Sequence, residues 1–185
     1  MRSAIFLDRD GVINLDREDS VKSLTEFHFL PHALSALRQL ATTSFAIIVV
    51  TNQSIIGRGL VDSATVDDIH AHMLQAIYYC GGRIDGIYVC PHHPDDGCLC
   101  RKPKPGLLQQ ASSDLDLDLT RSYLIGDSMS DMDAALAAGC TPILVLTGKV
   151  DVQACQRAGY LRMDMLVARN LAAAVAMLES LEPIR

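Results

Sequence analysis

Short, nearly unbroken apolar runs alternate along the chain with longer segments whose apolar positions recur every three or four residues. The first run, Ser3 to Leu7, leads into Asp8. A second, Ala46 to Val50, is rich in β-branched residues and ends in Thr51-Asn52. Gly86 to Cys90, Ser122 to Ile125 and Pro142 to Leu146 complete a set of predicted strands whose continuous apolar character suits burial on both faces. Between them, Pro31 to Leu40 places Leu34, Leu37 and Leu40 on one helical stripe, and Val66 to Tyr79 aligns Ile69, Met73 and Ile77 behind a capping Asp62. Ser130 to Ala138 is alanine-rich and stops at Gly139, and Asn170 to Leu181 turns Leu171, Val175 and Leu178 inward. Strand and helix in alternation predict an α/β fold, a Rossmann-like parallel sheet with helices on both faces. No repeat, low-complexity tract or domain-sized linker interrupts residues 1–185, which are read as one domain.

Hydrophobic residues at 49% and charged residues at 21% fit a soluble globular chain. No run approaches the ~18 apolar residues of a membrane-spanning helix. The apolar stretch before Asp8 is too short for a secretory leader, so a cytoplasmic location and a monomer are expected. A net charge of −6 disfavours nucleic acid and anionic membrane as partners. A small anionic substrate would have to be drawn by a local basic cluster, and Arg101-Lys102-Pro103-Lys104 is the dense one.

Two acidic loops carry the chemistry. Asp8-Arg9-Asp10-Gly11 follows the first strand, and Gly126-Asp127-Ser128-Met129-Ser130-Asp131 follows the fourth. Acidic turn residues at strand ends are common, and either loop alone would mean little. Ligands of open α/β sheets bind beyond the carboxyl ends of the strands, so both loops are expected at one edge. Carboxylates gathered there require a cation, and a hard oxygen site with few protein ligands suits magnesium. Asp8 can then attack phosphorus to give an aspartyl-phosphate, while Asp10 protonates the leaving alkoxide and later deprotonates water. Thr51 can donate its hydroxyl to a phosphoryl oxygen, and Lys102, in a proline-rich loop, can stabilise the transferring charge.

The ordered set Asp8-Arg9-Asp10-Gly11, Thr51-Asn52-Gln53-Ser54, Arg101-Lys102-Pro103 and Gly126-Asp127-Ser128 resembles the haloacid dehalogenase (HAD) superfamily of phosphatases. Within it the chain looks most like the D-glycero-D-manno-heptose 1,7-bisphosphate 7-phosphatases, which have histidinol-phosphate phosphatases as close relatives. The resemblance implies that Asp8 is the nucleophile, Asp10 the general acid/base, and Asp8, Asp127 and the Asp10 backbone carbonyl the magnesium ligands. It implies that Thr51 and Lys102 hold the phosphoryl group and that Arg101, Asp16, Asn52, Gln53 and Ser54 meet the substrate, with Asp131 orienting the site. Two departures bear on the sugar rather than the chemistry. Ile55 stands where the family usually has glycine, so the loop must bend differently if that position needs positive φ. Asp16-Arg17-Glu18-Asp19 lacks the Gly-Tyr of many relatives.

Cys90, His92, Cys98 and Cys100 lie within eleven residues and can close a tetrahedral zinc site. Four protein ligands leave no open position, so the zinc would be structural, pinning the loop that aims Arg101 and Lys102. His93 could serve as a ligand instead, but is read as a polar loop residue. Cys80, Cys140 and Cys155 fall outside this cluster and are expected to pack as small apolar groups. No insertion after Asp10 or between the second and third strands is long enough for a separate cap domain. The leading reading is a magnesium-dependent heptose bisphosphate phosphatase. A histidinol-phosphate phosphatase, a zinc-dependent hydrolase and a non-catalytic, zinc-stabilised binding module are the alternatives.

Overall fold

The computed structural model describes residues 1–148, 150 and 166–181. Six strands, β1 (Ala4–Leu7), β2 (Ala46–Asn52), β3 (Gly86–Cys90), β4 (Tyr123–Gly126), β5 (Thr141–Val145) and β6 (Leu166–Ala168), form one sheet. Every pairing is parallel, in the order β3-β2-β1-β4-β5-β6. The helices are α1 (Ala33–Leu40), α2 (Ser54–Gly57), α3 (Ser63–Tyr79), α4 (Gly106–Leu115), α5 (Met129–Ala138) and α6 (Leu171–Leu181).

Alternation along the strands divides the core into two layers. Ile5, Leu7, Ile47, Val49, Ile125, Ile143 and Val145 face one way, onto Leu37 and Leu40 of α1, Ile69, Met73 and Ile77 of α3, and Val175 and Leu178 of α6. Ala4, Phe6, Ala46, Ile48, Val50 and Leu124 face the other, onto Leu107, Leu108 and Ala111 of α4 and Ala134 and Ala135 of α5. Apolar residues on both sides of each strand are what a sheet sandwiched by helices requires. The chain runs outward from β1 through β2 to β3, then crosses back to build β4, β5 and β6 on the other side. The strand order therefore reverses between β1 and β4, the topological switch point at which such sheets open a crevice.

The predicted strands stand within a residue or two of their observed bounds, and Asp62 caps α3 by accepting from the Thr65 N–H at 2.8 Å. Helices α2 and α4 and strand β6 are additions to the sequence-based picture. Leu34 is only half-buried, and the inward face of α1 is instead Ala33, Ala36, Leu37 and Leu40. Cys140 packs in the core as expected, but Cys80 is exposed, at the C-cap of α3. Cys155 lies outside the described residues. None of the described helices is long and apolar enough to cross a membrane, and the described residues form no second sheet.

Candidate active site

Asp8 is the first residue past β1, and Asp127 the first past β4. The register pairs Leu7 with Ile125, and the Asp8 N–H donates to the Ile125 carbonyl at 3.0 Å, so the two carboxylates leave the sheet side by side. Asp131 joins them from the first turn of α5. Its carboxylate closes a capping box with Ser128, accepting from that residue's N–H at 3.2 Å and hydroxyl at 2.5 Å. One oxygen from each of Asp8, Asp127 and Asp131 can be chosen so that all lie within 4.8 Å of one another.

Lys102 enters this cluster from the loop before α4. Its ammonium lies 2.6 Å from Asp131 Oδ1 and 3.0 Å from Asp8 Oδ1, and donates to the Val50 carbonyl at 2.8 Å. Burial by itself would depress this lysine, but the carboxylates of Asp131 and Asp8 outweigh it and hold its pKa above the ordinary value. The Arg9 N–H also donates to Asp8 Oδ1, at 2.7 Å. Two donors thereby hold that oxygen, whereas Asp8 Oδ2 has none among the described residues. Burial raises Asp8 to about 7, against the lowering influence of Lys102, with Asp131 and Asp10 adding to the rise. Asp127 is pushed up to about 8, by burial first and then by Asp8 and Asp131. One lysine does not neutralise three carboxylates, and a divalent cation fits the remaining charge and the oxygen-only donor set.

Asp10 is held differently. Its Oδ1 accepts from Asn14 at 2.8 Å and Arg9 at 3.0 Å, and its Oδ2 from Gln53 at 2.8 Å and Arg9 at 2.9 Å. Burial opposes its ionisation, but Arg9 and these donors prevail and lower its pKa. Gln53 also donates to the Thr51 hydroxyl at 2.9 Å, tying the end of β2 to the loop after β1. Backbone approach is close on every side. Gly11 has φ +79°, and a Cβ there, or at Gly148, would overlap the Asp127 carboxylate. The Thr147 hydroxyl donates to the Gly11 carbonyl at 2.5 Å, so the loop after β5 closes over the same carboxylate.

The cysteine loop follows β3. Cys90, Cys98 and Cys100 have Sγ separations of 3.6 Å from Cys90 to Cys98 and from Cys98 to Cys100, and His92 Nδ1 lies 3.6 Å from Cys90 Sγ and 3.2 Å from Cys100 Sγ. A tetrahedron of zinc–sulfur bonds has an edge of about 3.8 Å, and a sulfur–nitrogen edge is somewhat shorter, so these four side chains match a zinc site in shape and donor type. His93 is turned elsewhere, its ring accepting from the Asp95 N–H at 3.2 Å. The loop is fastened to the end of β2: Gln53 N–H donates to the Cys90 carbonyl and Gly57 N–H to the Pro91 carbonyl, each at 2.8 Å. The Asn52 side chain grips the Lys102 backbone at both its N–H and its carbonyl, at 3.2 Å each. Lys104 donates to the carbonyls of Gly97 and Cys98 at 2.7 Å. The path from the cysteine cluster to the Lys102 ammonium is therefore short and braced.

A cleft of about 330 Å³ opens above Asp8, lined also by Asp10, Asp16, Ser20, Thr51, Asn52, Gln53, Asp127 and Ser128. Ser54 begins α2 and is not among its walls. Arg101 lines a neighbouring cleft with Cys98 and Lys104. Its Nη1 is buried without a hydrogen-bond partner among the described residues.

Residues 99–174 match a family model described as HAD-hydrolase-like. The chain is 45% identical over 148 residues, 80% of this chain and 83% of the relative, to the D-glycero-beta-D-manno-heptose-1,7-bisphosphate 7-phosphatase of Pseudomonas aeruginosa. It is 46% identical over 144 residues, 78% of this chain and 80% of the relative, to the enzyme of that name from Bordetella bronchiseptica. The chain belongs to this family of HAD phosphatases. A crystal structure of D,D-heptose 1,7-bisphosphate phosphatase from B. bronchiseptica, complexed with magnesium and phosphate, superposes with a TM-score of 0.90 at 41% identity, covering 98% of this chain and 100% of that one. The Burkholderia thailandensis enzyme gives a TM-score of 0.73 at 33% identity, covering 97% and 99%.

Of the two departures from the heptose bisphosphate phosphatase pattern, the one at Ile55 has a structural account. Ile55 lies inside the helical turn α2 with its side chain buried, and it is not among the described residues with positive φ. No glycine is needed there. In the loop after β1, which lacks the Gly-Tyr, Arg17 pairs with Asp19 at 3.1 Å and Lys22 with Asp19 at 2.6 Å. Sequence reasoning missed Arg9 and Asn14, which hold Asp10, and His70, which meets Arg9. For Arg9 a signal existed, since a guanidinium flanked by two carboxylates has an ion-pair partner within reach.

Proposed function

We propose that this protein removes the 7-phosphate of D-glycero-D-manno-heptose 1,7-bisphosphate through an aspartyl-phosphate on Asp8, in the supply of heptose for lipopolysaccharide. The observation that carries the reading is the meeting of Asp8, Asp127, Asp131 and Lys102 at the switch point of the sheet, in a chain 45% identical to an enzyme of that name. Lys102 and the Arg9 N–H hold Asp8 Oδ1, so Oδ2 is presented to phosphorus. The Lys102 ammonium and the Thr51 hydroxyl receive the phosphoryl oxygens. Asp10 is assigned both proton transfers, to the departing sugar oxygen and then from the attacking water, and for these Asn14 or Gln53 must yield its place on the carboxylate. Asp8, Asp127 and the Asp10 carbonyl would hold magnesium, which would supply positive charge to the phosphoryl oxygens. Asp131 acts through Lys102, whose ammonium it holds.

Asp16, Asn52, Gln53, Ser54 and Arg101 are proposed to meet or shape the sugar. Asp16, Asn52 and Gln53 do so from the cleft walls, and Ser54 from the start of α2. The buried, unpartnered Arg101 nitrogen offers a donor beside the cleft. Zinc in the cysteine cluster is structural on this reading, since four protein ligands would leave it no open position, and the four ligand atoms lie within 4.8 Å of one another. We place the protein in the cytoplasm as a one-domain monomer acting without nucleic acid or membrane, in keeping with its net charge of −6. The test is phosphate release from both anomers of heptose 1,7-bisphosphate and from histidinol phosphate, with and without magnesium. Preference for the bisphosphate, lost in Asp8→Asn, is expected. Preference for histidinol phosphate would transfer the chain to that sibling activity, and turnover surviving in Asp8→Asn would remove the mechanism.

A further inference from the structure

Arg9 is completely buried, and among the described residues its guanidinium has two side-chain partners. Nη2 reaches both oxygens of Asp10, while Nη1 lies 3.1 Å from Nε2 of His70, a residue 61 positions away on the inner face of α3. A guanidinium has donors only, so His70 Nε2 must accept, and the imidazole must be neutral with its proton on Nδ1. Burial, and then the charge of Arg9, push His70 down to about 4, in agreement with that state. A buried cation is costly to desolvate unless its partners are fixed. Here the fold commits one to holding a single carboxylate and spends a histidine of another element on holding the cation.

We propose that His70 is a positioning residue for the hydrolytic half of the reaction: through Arg9 it fixes the Asp10 carboxylate in the orientation that accepts the proton of the attacking water. The inference rests on the reading of Asp8 as nucleophile. In that half the water oxygen forms a bond to phosphorus, and the bond from phosphorus to the Asp8 oxygen breaks, its electron pair returning to the Asp8 carboxylate. The water proton passes to Asp10, and inorganic phosphate leaves. The first half needs a proton from Asp10 only when the leaving group is a poor one, such as a sugar alkoxide. With p-nitrophenyl phosphate it needs none, whereas the second half always needs the base. Loss of His70 should therefore slow the two halves unequally.

The experiment uses the full magnesium-loaded chain and p-nitrophenyl phosphate, followed by stopped flow and acid quench. His70→Met removes the acceptor and keeps the bulk, while His70→Gln offers an amide oxygen in its place. For His70→Met the expectation is a burst of about one nitrophenolate per site. A steady rate lowered about tenfold to a hundredfold then follows, with phosphoenzyme accumulating. His70→Gln should restore most of the steady rate. An unchanged steady rate in His70→Met, a loss that lowers both phases together without accumulation, or a Gln variant no better than Met would each overturn the proposal. If His70→Met does not fold, nitrogen NMR of the unaltered chain decides. Protonated Nδ1 with bare Nε2 upholds the contact, and a protonated Nε2 refutes it. An unaltered chain that never forms a phosphoenzyme would take down the Asp8 reading as well, whereas phosphoenzyme with no His70 effect would sink this inference alone.

Discussion

Replacing Lys102 with methionine separates what holds the site together from what drives its chemistry. The ammonium is almost fully buried, 2.6 Å from Asp131 and 3.0 Å from Asp8. At an effective dielectric constant of about 20, each attraction is about 5–6 kcal/mol before desolvation is subtracted. Removing one partner of a buried pair leaves the other charged and unmatched, with a net cost of about 3–5 kcal/mol. Asp131, which is fully buried, bears most of it. Adding Asp131→Asn removes that stranded charge, so the double variant should regain about half or more of the lost stability. Activity should not return with it. Losing the group that meets the transferring oxygens should lower kcat about 10²- to 10³-fold in both variants. Urea unfolding of metal-free protein gives the first quantity, and steady-state turnover with magnesium the second. A Lys102→Met protein within about 1 kcal/mol of the parent, or a double variant no more stable than the single, would show that the ion pairs are not what organises the cluster.

Metal-free protein should lose stability as the pH climbs from about 4 through about 8. Asp8 and Asp127 hold protons in the folded state at about 7 and about 8, against 3.8 ordinarily, so ionising them works against folding. Asp10, with its lowered pKa, has the opposite sign and its contribution is lost only as the pH falls through that depressed value. Magnesium should abolish the alkaline loss, and urea midpoints at pH 5 and pH 8 with and without the ion measure this; a metal-free protein more stable at the higher pH would contradict it. Gly11→Ala combines a left-handed backbone with overlap onto Asp127. It should cost at least about 1 kcal/mol by unfolding, and weaken magnesium binding about tenfold by calorimetry. Cys98→Ser should lose the zinc equivalent found by elemental analysis and expose residues 91–104 to protease. Its kcat should fall even in saturating magnesium, because Lys102 is aimed through that loop.

The sheet was legible because its strands are short apolar runs with little to confuse them, and Gly86–Cys90 matches its predicted bounds. Helix α4 escaped notice because prolines crowd its start and its buried face is only Leu107, Leu108 and Ala111, with Ser112, Ser113 and Asp114 weakening the pattern. Strand β6 is three residues long, with Val167 exposed, so periodicity had almost nothing to register. In the site, the residues that follow strand ends were readable from order along the chain. The Arg9–His70 contact was not, since a histidine on a helix face announces nothing about a guanidinium 61 positions away. Asn52 and Gln53 line the cleft, and their side chains are also engaged with Lys102, Thr51 and Asp10. A motif gives residue identity but leaves open whether the side chain points at ligand or at neighbour.

The central claim is that Asp8 carries the phosphoryl group between sugar and water. Quenching the chain with acid during steady turnover, reducing any acyl phosphate with borohydride and mapping the peptides tests it most directly. The account predicts homoserine in place of Asp8, dependent on substrate and magnesium. Turnover accompanied by an unmodified Asp8 and a mark on another side chain would contradict it.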